Sequence, residues 1–126
     1  MRSILPGLAL IAALIATSSA TAHHSFAVFF NTDEKVVTVS GVVKEFHFSN
    51  PHGVITLVVS KGNGTTIWRA ETNSPSILRR RGWTPQSLHV GDKITITGWP
   101  ARDGTQYLRM QSAHLSGGSL VGQPLG

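Results

Sequence analysis

Cysteine is absent from the 126 residues. That excludes disulfide staples, thiolate metal sites and thiol nucleophiles, so any fold must rest on its apolar core alone. Acidic side chains are scarce too, with 6 Asp+Glu against 11 Lys+Arg. They lie singly along the chain, and no paired-carboxylate signature of glycoside hydrolysis emerges. No serine sits in a G-x-S-x-G turn, and no glycine-rich phosphate loop is present. The basic excess is weaker than a dedicated nucleic-acid binder needs, so no nucleic acid is expected as partner. An acidic glycan, an anionic membrane surface or simple solubility accounts for it as well.

Long hydrophobic runs are missing as well, with one exception at the start. Met1-Arg2-Ser3 supplies a positive charge, Ile4 to Thr17 is nearly all apolar, and Ser18-Ser19-Ala20-Thr21-Ala22 is all small. The apolar run falls short of the roughly 20 residues that span a bilayer. A basic start, a short apolar stretch and an A-x-A site read as a secretory signal peptide. The expectation is residues 1–22 as signal peptide, cleavage after Ala22, a periplasmic or secreted location, and no stable membrane span afterwards. The remaining 104 residues carry ten Lys+Arg against 6 Asp+Glu, a formal +4, and suffice for one domain with a modest core.

The mature chain reads as mostly β. Residues 23–35 form a lead-in in which Phe26, Val28 and Phe30 alternate, as in an extra strand. Val36 to Phe48 is rich in β-branched and aromatic residues, and Gly41 within it suggests a bulge or bend. After the turn Ser49-Asn50-Pro51-His52-Gly53, Val54 to Ser60 forms a second strand. Lys61-Gly62-Asn63-Gly64 is a hairpin turn, and Thr65 to Glu71 is a third strand with Ile67 and Trp68 as packing residues. Ser74 as N-cap and Pro75 as first helical residue open a helix of about two turns that Gly82 stops. Lys93 to Gly98 and Thr105 to Leu115 are the last strands, with Ile94, Ile96, Leu108 and Met110 inward. Strand, strand, strand, helix, strand, strand predicts an all-β fold with one short helix, a five-stranded OB-like Greek-key barrel over residues 36–115. Residues 116–126 are Gly-rich and read as a flexible tail. Fold alone names no function.

The segments "AHHSF", "NPHGVITL", "ETNSPSILRRRGW", "VGDKITI" and "PARDGTQY" together resemble a family of small secreted bacterial proteins of unknown function. The resemblance runs from Ala22 to about Leu115, and its most specific elements are the NPH turn and the SPxxLxRxGW helix. Phe48 departs from the tryptophan such proteins often carry there. The resemblance implies export and a single small β domain, and no activity.

Chemistry must therefore come from the residues. A mature N-terminal His23 offers an α-amino group and a ring nitrogen, and both release protons near neutral pH. A second histidine completes a three-nitrogen brace, a donor set that favours copper. His52, in a tight turn on a rigid scaffold, is the best distant partner, and His24 is adjacent. His47, His89 and His114 read as non-ligands. Glu71 ends a strand beside the helix as a partner or base. Trp99 and Tyr107 could stack on a ligand, and Arg79, in the run Arg79-Arg80-Arg81, could meet an anion. The leading expectation is a non-enzymatic exported domain binding copper or another divalent metal through His23, His24 and His52. A metal-independent module for a glycan or peptide is the alternative. A copper-dependent oxidase comes last, because an N-terminal histidine alone does not make an oxidase.

Overall fold

A computed structural model describes residues 26–125. Its elements in chain order are β1 (Val37–His47), β2 (Val54–Lys61), β3 (Gly64–Glu71), α1 (Pro75–Arg80), β4 (Lys93–Pro100) and β5 (Tyr107–Leu115). The strands close into a barrel in the order β1-β2-β3-β5-β4. All pairings are antiparallel except β3 with β5, which is parallel. This is the five-stranded barrel with a helix between its third and fourth strands that the hydrophobic pattern predicts.

The long first strand closes the barrel by serving two neighbours. Val37 to Val42 pair with β4, and Val42 to His47 pair with β2. At Gly41 the β2 backbone comes close: a Cβ there would lie 2.6 Å from the Val58 carbonyl oxygen. The bulge itself falls three residues further on, between Val43 and Glu45. An extra residue inverts the inward phase of a strand. Val39 and Val43 are buried before it, and Phe46 packs against the core after it. A second irregularity, between Thr97 and Gly98, does the same for β5, whose buried residues change from Leu108 and Met110 to Ala113.

Register corrects one packing assignment. Leu57 is buried and pairs with Trp68, while Val58 pairs with Ile67. Cross-strand partners share a face, so Trp68 turns inward and Ile67 is exposed. Helix α1 contributes Leu78, which is fully buried, to the core. Ser74 is the N-cap residue, but its hydroxyl meets Ser76 rather than the helix backbone. Gly82 adopts φ +82°, and Trp83 folds back beneath the helix, donating its backbone N–H to the Leu78 carbonyl at 3.0 Å.

Both flanking segments differ from expectation. Residues 26–29 form a helical turn, not a strand, and only Phe30 makes a β-bridge, to Ala101. Residues 116–125 dock on the barrel at two points, although 116–120, 123 and 124 stay exposed. Val121 and Leu125 are buried, and their N–H groups bond to the carbonyls of Ala113 and Gln111.

Gly98 is a specific weak point. A Cβ there would collide with the Arg109 carbonyl and press on the Leu108 side chain. Gly98→Ala is expected to cost about 1–3 kcal/mol through forced strand separation, measurable as a lower urea midpoint with an unchanged slope.

Candidate functional site

The ends of β3 and β5 create the site. Their parallel register sets Arg69 beside Tyr107 and Glu71 beside Arg109. The buried Ala70 and Leu108 between them face the core, so these four side chains leave the barrel on its outer surface. There they meet the N-terminal segment. Asn31 N–H bonds to the Pro100 carbonyl, Arg102 N–H to the Phe29 carbonyl, and Arg102 Nε to the Ala27 carbonyl at 2.7 Å. Phe26, Phe29 and Phe30 consequently stand over the outer face. With His52, Glu71, Ala101, Asp103 and Tyr107 they line a cleft of about 550 Å³, a size that suits a small ligand.

His52 reaches the cleft because its loop is pinned. Gly53 N–H bonds to the Asn73 carbonyl, and Thr72 N–H bonds to the Gly53 carbonyl, extending the β2–β3 ladder past its end. A side chain at Gly53 would run into Thr72 and Leu78. The His52 ring packs on Phe26 at 5.6 Å between centroids.

A polar chain forms the floor. The Tyr107 hydroxyl donates to Glu71 Oε2 at 2.6 Å. Glu71 Oε1 lies 3.4 Å from His52 Nδ1 and 3.9 Å from Arg109 Nη1. Arg109 is 6% exposed, donates to the Thr72 carbonyl and lies 4.0 Å from the Phe26 ring centroid. Burial pulls its guanidinium down to about 10 while Glu71 and Tyr107 pull the other way, so it stays cationic at neutral pH. Tyr107 is raised above its ordinary value, first by burial and then by its bond to Glu71. Because it is the sole tyrosine of the chain, phenolate absorbance reports it alone. Its titration midpoint is expected above the usual value of about 10 in the folded protein and back near 10 in urea.

The structure therefore unites three of the residues singled out from sequence, His52, Glu71 and Tyr107. Trp99 is half-buried, pairs with Arg109 across β4–β5 and does not line the cleft. Arg79 stacks its guanidinium on Phe48 at 4.9 Å and also lies outside the cleft lining. His23 and His24 lie outside the described residues. His47 is exposed beside Glu45 at 2.6 Å, and His89 is exposed near Asp92. Among the described residues no three His, Asp or Glu side chains cluster as a metal site. Sequence reasoning missed Arg109, Phe26 and Asp103. Arg109 alternates with Leu108 and Met110 and so reads as solvated; nothing local shows that another segment covers it.

Fold and site together define a small exposed-cleft β-barrel domain, with aromatic walls and a histidine–carboxylate–tyrosine floor. More particularly, the chain belongs to the Family of unknown function (DUF6152), whose model matches residues 11–109. No curated protein matches it. Among the described residues no helix is long and apolar enough to cross a membrane.

Proposed function

We propose that the protein is an exported metal-binding domain that holds copper, or another divalent ion, where its processed N-terminus meets this cleft. One observation carries the reading. Phe26 packs against His52, and His23 is only three residues before Phe26. A chain of three residues spans at most about 10 Å, so an amino terminus at His23 starts within reach of His52. The amine and ring of His23, with His52 and His24, then supply the nitrogen-rich set that copper favours. The role is binding, for storage, delivery or sensing.

The aromatic lining of the cleft favours a second reading, a metal-independent site for a glycan or peptide held against Phe26, Phe29 and Tyr107. One experiment separates the two. The full-length chain is exported from a bacterial host, its start is determined by mass, and Cu(II) is titrated with electron paramagnetic resonance. The controls are protein with one alanine inserted before His23 and His52→Ala. The metal reading expects one tight nitrogen-rich site that the added alanine abolishes. It expects His52→Ala to weaken that site by at least the roughly 10–100-fold that loss of a supporting partner costs a metal centre. Equal weak binding in all three samples overturns it and leaves the second reading.

A further inference from the structure

We propose that the cleft is the binding site of a small planar aromatic molecule that carries an N–H donor and no negative charge. This rests on the metal-independent reading above, uses no residue before Phe26, and gives that reading a different ligand class.

The walls select a ring. Four aromatic side chains line the cleft, and its longest aliphatic side chain is the methyl group of Ala101. Phe30 is buried and meets Tyr107 edge-on at 5.3 Å between centroids, and Phe26 packs on His52. Phe29 is 66% exposed. Its backbone is nevertheless fixed, because its carbonyl accepts the Arg102 N–H. An exposed ring on a fixed backbone loses little freedom when a ligand stacks on it, and it gains more from an aromatic partner than burial alone supplies.

The floor selects a donor. Glu71 Oε2 accepts from the Tyr107 hydroxyl at 2.6 Å. Oε1 accepts no hydrogen bond from the described residues: His52 Nδ1 stands at 3.4 Å and Arg109 Nη1 at 3.9 Å, both beyond the usual N–H···O range of about 2.7–3.2 Å. The Glu71 side chain is only 16% exposed. A covered acceptor left without a donor is costly, and a ligand N–H removes that cost.

Charge selects against anions. The chain is basic, with 11 Lys+Arg against 6 Asp+Glu, yet the charged residues lining the cleft, Glu71 and Asp103, are both acidic. The guanidinium groups around it are already engaged. Arg109 holds the Thr72 carbonyl beneath Phe26, Arg69 lies over the Tyr107 ring, and Arg102 holds the Ala27 carbonyl beside Asp33. A carboxylate or phosphate entering here meets two carboxylates, without the open arginine fork that such groups favour.

Four probes of one shape test this on the full chain, exported and processed, with EDTA present so that metal plays no part. Benzamide has the ring and the donor, benzamidine adds positive charge, N,N-dimethylbenzamide lacks the donor, and benzoate is the anion. Binding is followed by amide NMR shifts. Benzamide is expected to bind at about 1 mM or tighter, within reach of a ligand of this size, shifting Phe29, Glu71, Asp103 and Tyr107. Benzamidine should bind at least as well. The dimethyl analogue should bind about tenfold more weakly, and benzoate more weakly still. Phe29→Ala should weaken benzamide about 3–10-fold; this ring is exposed and the variant keeps the backbone bond to Arg102, so it tests the site even if Glu71→Gln, expected to weaken benzamidine about tenfold, fails to fold. Equal binding of the dimethyl analogue, or benzoate binding as well as benzamide, overturns the proposal. Cellobiose and trialanine are titrated alongside. If either shifts these amides and benzamide does not, this inference falls and the glycan or peptide reading stands; if none of the probes shifts them, both fall.

Discussion

Arg109→Met is expected to destabilise the protein by about 3 kcal/mol, the lower end of the range for breaking a buried ion pair. The lower end applies because Glu71 keeps some contact with water and its Oε1 lies 3.9 Å from the guanidinium rather than in a bidentate pair. Three partners lose something at once. Glu71 loses its nearest cation, the Thr72 carbonyl loses its side-chain donor, and Phe26 loses the charge stacked on its ring. An orphaned buried acceptor carries its full desolvation penalty, which a methionine of similar length cannot offset. Urea unfolding gives the magnitude. The same variant is expected to loosen residues 26–31, seen as faster hydrogen exchange there than in β1. Pairing it with Glu71→Gln is expected to restore more than half of the loss, because the second change removes the unpaired charge. Arg109→Lys keeps the charge but not the planar fork, and is expected to fall between the two.

This arginine also shows where a linear reading stops. Alternation in β5 places Leu108 and Met110 inward, and both are buried. The same alternation sends Arg109 outward, which is correct for the barrel and misleading for its environment. What covers it is Phe26, more than 80 positions earlier, in a segment docked by backbone bonds at Pro100 and Arg102. Barrel and helix were legible because their signals are local: β-branched alternation, glycine turns, Ser-Pro before Ile77 and Gly82 after Arg81. Even the Ile67–Trp68 error is one of phase, and the partner strand resolves it. The site divides the same way. His52 and Glu71 stand out from turn and strand-end positions, whereas their meeting depends on the parallel β3–β5 register and on the loop pinned at Gly53. Neither has a sequence signature.

Deleting residues 119–126 is expected to cost about 3–5 kcal/mol, although composition marks this stretch as a tail. Gly117, Gly118 and Gly122 all adopt positive φ, so these glycines make turns that bring the chain back onto the barrel. Val121 is 6% exposed and Leu125 2%. Burying aliphatic side chains of this size is worth roughly 1.5–3 kcal/mol each, and the deletion removes both. It also removes the bonds from Gln123 N–H to the Arg81 carbonyl and from Arg81 Nη1 to the Pro124 carbonyl. Gly122 lies so close to the Trp83 ring that a Cβ could not be accommodated, so the segment covers that indole directly. Truncation should therefore expose Trp83, shifting its emission to longer wavelength, while Trp68 and Trp99 keep their β-strand settings. Leu125→Ala tests the same contact without shortening the chain, and should cost about 2–4 kcal/mol. A frayed tail would leave the urea midpoint and the emission unchanged in both variants.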